Sequence, residues 1–553
     1  MPSTSPKVTA SRVATGSIET VALYDHLSRN GATLTPTEYL ALLNYRTDVD
    51  FRPLDPENRP APFKRYRAVE RVELPREFAF DAADAITALV ADGGASVDEF
   101  AHTRLDLAGV ARLLHLGAGV TRSTIGPLQH RTYFRAAMSA GNLHPLEVYV
   151  VCGPMDGLDA GVYHFAPLEF RLDRLRSTDE RAYLARACAT GDDRPPGASL
   201  VITGIPWRTV WKYAERGWRH LYWDAGALVA NVMAAADGVG VHTRVLTGFV
   251  DREVASLVGI EGVEEFPLAV VELRGDEPIS TAPDLPDPAP ITLSAEPLSS
   301  DPLVLPLVVE AQRAGTLESP HEVRRWRTAA RGGRPRPQAA EAVSPSGMSI
   351  DEAILRRGST RLMRIAEAPK RLADVGMAVA SRQVVGDFGD RGRAILRHYV
   401  NVHSVADTTP GTYLWTGRRL RLLSAGNHRK RSRELCLDQP LAGDSAFTVF
   451  HTTRLDELLR TYDARGYRVA NFCAGLASGR LALAAFALSF GASALTFRDD
   501  AVSACFEPHA SCLLVTAVGV PEYRNRPGGP PGAITELPHY EQLMKRFMAR
   551  LGE

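Results

Sequence analysis

The stretch Trp211-Lys212-Tyr213-Ala214-Glu215-Arg216-Gly217-Trp218-Arg219 has an echo in the second half of the chain, Arg460-Thr461-Tyr462-Asp463-Ala464-Arg465-Gly466-Tyr467-Arg468. Tyr213 and Tyr462 stand 462 − 213 = 249 residues apart. Ala225-Gly226 and Ala474-Gly475 share that offset of 249, as do Leu246-Thr247 and Leu495-Thr496. A self-match with so long a period is no solenoid repeat; it predicts two related domains. The places where the copies differ then point to the chemistry.

A chain of 553 residues has room for two or three domains, each with its own core. It carries 64 basic and 64 acidic residues, a net charge of zero. That balance gives no electrostatic case for nucleic acid or a membrane surface. Only six of the basic residues are lysines, so a lysine inside a motif stands out. The six cysteines are scattered, with no CxxC or Cys/His spacing for a metal. Buried free thiols in a reducing cytoplasm are expected. Residues 1–20 lack an apolar h-region, and no run approaches the roughly 18 apolar residues of a membrane span. A soluble, cytoplasmic protein is expected.

Along the chain, residues 1–17 read as a mobile tail and 18–100 as a mostly helical lead-in. The first large domain covers 101–276, with strands at Leu146–Val151, Leu200–Thr203 and Leu268–Leu273. Ala225–Ala236 is apolar or small on nearly every face, which predicts a buried helix stopped by Gly238 and Gly240. Residues 277–347 form a Pro-rich, surface-draped connection in which Leu303–Ala314 is ordered. The second large domain covers 348–527, with strands at Tyr399–His403, Ala446–Phe450 and Cys512–Val518 and a buried helix over Leu476–Phe490. A tail at 528–553 ends in a short amphipathic helix near Tyr540–Leu551.

Three segments carry candidate chemistry. Arg356-Arg357-Gly358-Ser359-Thr360-Arg361 gathers guanidiniums and hydroxyls at a turn, a set suited to a phosphate. Arg135-Ala136-Ala137-Met138-Ser139-Ala140-Gly141-Asn142-Leu143-His144-Pro145-Leu146-Glu147 leads into a strand. Its small residues let backbone approach a flat ligand, and Ser139 and Asn142 can bond to it. The third is Lys212-Tyr213. Both copies keep the tyrosine and the Arg-Gly-aromatic-Arg after it, which predicts a structural duty for those residues. The lysine becomes Thr461 in the second copy, so it is the sharper functional candidate.

Together these segments resemble the nitroreductase-like flavoenzymes, specifically the SagB-type thiazoline/oxazoline dehydrogenases. The Ser-Ala-Gly-Asn-Leu-His-Pro-Leu-Glu run is similar to the family's Ser-Ala-Gly-Ala-Leu-Tyr-Pro-Leu-Glu. Gly161-Val162-Tyr163-His164 resembles its Gly-Leu-Tyr-His, and Arg356 to Arg361 its Arg-Arg-Ser-Xaa-Arg. Leu246-Thr247-Gly248-Phe249 takes the place of its glycine-bearing loop. Gly411-Thr412-Tyr413-Leu414 and Leu437-Asp438-Gln439-Pro440-Leu441 fit tandem members. The resemblance covers roughly 100–275 and 350–525. It implies an α+β fold: two fused domains, each a largely antiparallel sheet flanked by helices, forming an intramolecular pseudo-dimer behind a small helical N-terminal region.

The resemblance also implies FMN bound between two subunits, one gripping the phosphate and the other lining the ring. Here the first copy has the Ser-Ala-Gly turn, but Phe100-Ala101-His102-Thr103-Arg104 offers one arginine where the phosphate motif belongs. The second copy has the arginines and no turn in register; its Ser424-Ala425-Gly426-Asn427 falls past the strand. One working flavin site and one decayed site follow. Arg356, Arg357, Ser359 and Arg361 would hold the phosphate, with Arg524 a further contact. Ser139, Ala140, Gly141 and Asn142 would lie along the isoalloxazine. Thr496 and Phe497 would stand near its N5 edge, in a loop without the family's glycine. Lys212 or Tyr213 would be the base that removes the azoline Cα proton.

The implied activity is azoline oxidation on a peptide or carrier-bound peptide substrate, with oxygen reoxidising the flavin and a cyclodehydratase as partner. No metal is implied, and further pairing of the pseudo-dimer is compatible with the sequence. Two alternatives stand beside it: an NAD(P)H-dependent nitro- or quinone reductase, and a non-catalytic flavin-binding scaffold in a peptide synthetase complex.

Overall fold

The computed structural model describes residues 54–77, 83–90, 105–126, 130–190, 196–274, 287–330, 344–382, 386–388, 395–507 and 510–552. The tail expected at 1–17, most of the lead-in expected at 18–100, and the one-arginine stretch at 100–104 lie outside these residues.

The lead-in expected to be mostly helical is not so in its described part: residues 54–77 hold a strand, β1 (Glu70–Glu73), and no helix, and only the short α1 (Ala85–Val90) follows. The first copy contains α2 (Leu107–Ala118), β2 (Val120–Ile125), β3 (Arg131–Arg135), β4 (Leu146–Cys152), β5 (Gly161–Ala166) and β6 (Arg171–Arg176). It continues through α3 (Arg181–Ala187), β7 (Ala198–Gly204), α4 (Pro206–Tyr213), α5 (Gly217–Asp237), β8 (His242–Leu246), α6 (Asp251–Val258) and β9 (Phe266–Arg274). The connection carries α7 (Pro306–Ala314) and α8 (Pro320–Ala330). The second copy begins with α9 (Ile350–Arg356), β10 (Met363–Arg364), α10 (Lys370–Ala380), β11 (Arg397–Val402), β12 (Gly411–Trp415) and β13 (Leu420–Ala425). Then follow α11 (Arg429–Leu435), α12 (Pro440–Asp444), β14 (Phe447–Arg454), α13 (Leu455–Tyr462), α14 (Arg465–Ala487), β15 (Gly491–Leu495), α15 (Asp499–Phe506) and β16 (Ala510–Pro521). The tail adds β17 (Thr535–Glu536) and α16 (Tyr540–Leu551).

The two main sheets repeat one topology. The first runs β8-β9-β7-β4-β5-β6 and the second β15-β16-β14-β11-β12-β13, with every pairing antiparallel. Both sheets are covered, so their central strands are apolar without alternation; all seven residues of β7 are buried.

The helices α5 and α14 form the seam between the copies. They cross where Gly226 meets Gly475. A Cβ on Gly226 would stand 2.1 Å from the Phe472 carbonyl oxygen, and one on Gly475 would stand 2.1 Å from that of Trp223. Any side chain there would push the helices apart, which explains a glycine at the same place in both copies. The most apolar window of α14 has a mean hydropathy of 1.4 and is 89% buried. Its apolarity therefore serves the core between the domains.

The shared arginines clamp the seam from both sides. Arg216 and Arg219, at the start of α5, meet Asp499 at the start of α15, the latter at 2.6 Å. Arg465 and Arg468 of α14 meet Asp251 at the start of α6, both at 2.7 Å. Each carboxylate thus receives two buried guanidiniums from the other copy. Such pairs contribute little net stability, but breaking one costs about 3–5 kcal/mol.

The connection is docked rather than draped from Leu305 to Arg327. Leu307 and Val308 of α7 and Val323 and Trp326 of α8 are buried, because α7 and α8 each present an apolar face to the seam. At the other end of the chain β17 pairs in parallel with β2, carrying the second copy's tail onto the first copy. The tail helix α16 spans Tyr540–Leu551, as its amphipathic pattern predicts.

Candidate functional site

A cavity of about 360 Å³ opens between the copies. Ser139, Asn142, Arg122 and Arg135 line it from the first copy; Arg357, Ser359, Arg361 and Arg524 line it from the second. The volume lies in the usual range for a small-molecule site. Among the described residues seven arginines face it and no carboxylate does, although one of the seven, Arg546, pairs with Glu522 at 2.7 Å.

The helix end at Arg356 sorts the arginines. Arg356 remains in the last turn of α9 and pairs with Glu352 at 2.5 Å on an exposed face. Arg357 takes extended backbone angles, φ −60° and ψ 132°, and turns inward. Its Nη2 donates to the Ala136 carbonyl at 2.6 Å, while its buried Nε has no hydrogen-bond partner. Burial, with Arg122 close by, pushes the Arg357 guanidinium down to about 9. Burial alone takes Arg122 down to about 10. Arg135 reaches about 10 by burial, partly offset by Glu147. Charges held this far from water call for a buried anion. Arg361 is fixed through its amide, which donates to the Tyr523 hydroxyl at 2.8 Å.

The Ser-Ala-Gly turn forms the facing wall. Asp224 of α5 fixes it, accepting from Ser139 Oγ at 2.6 Å and from the Ala140 amide at 3.1 Å. Burial raises the Asp224 carboxyl to about 7. Gly141 has φ 63°, and a Cβ there would meet the Tyr213 hydroxyl at 2.7 Å. The left-handed angle favours glycine, and a Cβ would displace the Tyr213 hydroxyl. Asn142 donates to the Tyr133 carbonyl at 2.9 Å.

Lys212 and Tyr213 end α4 beside this wall. Tyr213 touches the turn at Gly141 and meets the His220 ring at 4.2 Å between centroids. Lys212 Nζ lies 5.4 Å from the Tyr213 ring centroid. The Lys212 side chain is exposed at the surface, and its pKa is lowered by partial burial of the ammonium and then by the charges of Arg361 and Arg59. A buried bridge between Arg208 and Glu147, 2.5 Å long, ties α4 to the strand that follows the turn.

Thr496 and Phe497 do not line the cavity. The Thr496 carbonyl accepts from Gln439 Nε2 at 2.9 Å. Phe497 is fully buried beneath the Arg216 guanidinium, 4.8 Å from its ring centroid. The structure thus brings together Arg357, Ser359, Arg361, Arg524, Ser139 and Asn142, with Ala140, Gly141, Lys212 and Tyr213 adjoining. It leaves out Arg356, Thr496 and Phe497. Sequence reasoning passed over Arg122, Tyr523 and Asp224, and gave Arg135 no role of its own. Asp224 had a signal: it is an acid within an apolar helix, and the second copy has Cys473 at that offset.

The related surroundings in the second copy are filled with protein. Asp387 accepts from the amides of Thr247 and Gly248, each at 2.8 Å. Trp326 packs on Gly248, where a Cβ would meet the indole at 2.7 Å. Its Nε1 donates at 3.2 Å to the carbonyl of Tyr462, the counterpart of Tyr213. Arg327 pairs with Asp387 at 3.1 Å.

The sequence profile of the nitroreductase family matches residues 95–273. The first copy is a nitroreductase-family domain. A nitroreductase-like protein of Methanocaldococcus jannaschii is 27% identical over 177 residues, covering 32% of this chain and 84% of that protein. The microcin B17-processing protein McbC of Escherichia coli is 30% identical over 145 residues, covering 25% of this chain and 53% of McbC. The trifolitoxin-processing protein TfxB of Rhizobium leguminosarum is 31% identical over 169 residues, covering 28% of this chain and 45% of TfxB. This chain therefore spans about half the length of McbC and TfxB. A nitroreductase-like crystal structure from Anabaena variabilis superposes with a TM-score of 0.68 at 22% identity, covering 88% of this chain and 99% of that one. That extent shows the same fold through both copies.

Proposed function

We propose that this nitroreductase-like chain is an FMN-dependent dehydrogenase of the SagB type, oxidising thiazoline or oxazoline rings of a peptide to azoles. The observation that carries the reading is the cavity walled by both copies, with Arg357, Arg361 and Arg524 on one side and the Ser-Ala-Gly turn on the other. The donor set fits a flavin mononucleotide: the buried Arg357, whose Nε has no partner, suits its phosphate, and a small-residue turn suits its flat ring. When bound, FMN supplies a two-electron hydride acceptor, and molecular oxygen restores it.

Arg357, Ser359, Arg361 and Arg524 would hold the phosphate. Arg122 and Arg135 add positive potential from the opposite copy. Ser139, Ala140, Gly141 and Asn142 would set the ring plane, with Asp224 keeping the turn in shape. Lys212 or Tyr213 would take the azoline Cα proton while hydride leaves the adjacent carbon. The depressed Lys212 pKa favours the neutral amine a base requires. The names of McbC and TfxB support a peptide substrate, with a cyclodehydratase upstream to make the azolines. Such work belongs to the cytoplasm.

The test is to incubate the FMN-loaded protein aerobically with an azoline-bearing peptide and record its mass. Loss of two hydrogens per ring supports the reading. Bleaching by NADPH with the peptide unchanged would favour a nitro- or quinone reductase. No oxidised product with artificial electron acceptors would favour a scaffold.

A further inference from the structure

The two copies differ at one edge of their sheets. In the first copy the edge strand β6 is capped by β1: Glu70 stands opposite Arg174, Arg71 opposite Asp173, Val72 opposite Leu172 and Glu73 opposite Arg171. Glu70 pairs with Arg174 at 3.1 Å. The capping strand is thus short, acidic at both ends and apolar over Leu172.

In the second copy β13 holds the place of β6. It pairs with β12 as β6 pairs with β5, and both hairpins carry a bulge at the same point, between Thr412 and Tyr413 and between Val162 and Tyr163. Aligning the bulges sets Leu422, Arg421, Leu420 and Arg419 where Arg174, Asp173, Leu172 and Arg171 stand. Among the described residues no strand pairs with the outer edge of β13. Leu422 and Leu423 are 45% and 44% exposed, a high value for leucines in a strand. Arg418, Arg419 and Arg421 are exposed, and no carboxylate among the described residues pairs with them. Lys430, also exposed, extends the positive charge into α11, while Arg431 beside it is paired with Glu434 at 3.5 Å.

A bare edge with apolar side chains invites another strand. Its arginines decide which strand. A second copy of β13 would bring like charges face to face, which destabilises cross-strand pairing. An acidic strand meets complementary charge. We propose that β13 is a docking edge for an extended segment of a partner peptide with alternating apolar and acidic residues, which adds antiparallel beside Arg419–Leu422 as β1 adds beside β6. Read from its N-terminus, the segment places an apolar residue across Leu422, an acid across Arg421, an apolar residue across Leu420 and an acid across Arg419. Main-chain bonds supply affinity, and the two arginines supply selection. This inference does not depend on the flavin chemistry.

The test uses the full chain and a fluorescein-labelled peptide with a Val-Glu-Val-Glu core, followed by anisotropy. Saturable binding is expected, weakening as salt rises. The double variant Arg419→Glu/Arg421→Glu should bind this peptide at least about tenfold more weakly, since two cross-strand pairs turn repulsive. The same variant should gain affinity for a Val-Lys-Val-Lys peptide, an exchange that misfolding cannot produce. Hydrogen exchange at Leu420–Leu422 should slow when the acidic peptide is added. Absence of saturable binding, equal binding by both proteins, or displacement of the peptide by a single-stranded RNA oligonucleotide would overturn the proposal.

Discussion

Replacing Arg357 by methionine separates what this residue does for the empty protein from what it does for a bound phosphate. Arg357 is 5% exposed, and its Nε lacks a hydrogen-bond partner. Burial, with Arg122 close by, brings its pKa down from the ordinary arginine range to about 9. At roughly 1.4 kcal/mol per tenfold change in proton affinity, keeping that charge at neutral pH costs on the order of 5 kcal/mol, an upper bound. Methionine fills much of the volume and removes the cost, at the loss of the 2.6 Å bond to the Ala136 carbonyl. The empty variant should therefore melt no lower than the parent. Binding should respond in the opposite direction. Two charge-assisted bonds to phosphate, each about 1.5–3 kcal/mol, amount to at least a hundredfold in Kd. The assay is calorimetric titration of both proteins with FMN and with riboflavin, beside thermal melts of the empty proteins. Only the FMN affinity should fall. Equal losses for FMN and riboflavin, or an empty variant that melts far lower, would refute the reasoning by making Arg357 a structural residue.

Lys212→Met should retain FMN and lose about a hundredfold or more of turnover. In the parent, the rate should rise with pH and level off below the ordinary lysine range, and Arg59→Gln should move that rise to higher pH by removing one cause of the lowered pKa. For Asp224 the folded pKa of about 7 exceeds its usual 3.8, so the folded state keeps a proton that the unfolded chain releases. Its contribution is full below about pH 4 and is lost as pH rises to about 7. Asp224→Asn should therefore gain on the parent in melting temperature between those limits; a gap independent of pH would contradict the assignment. Asp499→Ala should cost about 3–5 kcal/mol in denaturant unfolding, because two buried guanidiniums lose their shared carboxylate.

Much of the fold was legible because the repeat compares two solutions to one packing problem. Gly226 and Gly475 match because each lies on the other helix's backbone. The Arg-Gly-aromatic-Arg run matches because both copies clamp the other. The strands β4, β7 and β9 could be read as apolar runs. The outer strands β6 and β13 could not, since their residues are polar or exposed and only pairing makes them strands. Arg356 and Arg357 look alike in sequence; which one turns inward depends on where α9 ends. Trp326 fell within a Pro-rich connection whose composition suggests a surface path, yet the indole has a cavity to fill at Gly248. Asp224 could have been found by asking which residue vanished together with the Ser-Ala-Gly turn.

The two copies together build a single proposed cofactor site. The most direct measurement is the FMN content per chain of the purified, FMN-saturated protein, from its visible spectrum against protein concentration. One flavin per chain is predicted, with Trp326, Arg327 and Asp387 filling the second set of surroundings. Two flavins per chain, or none, would contradict it.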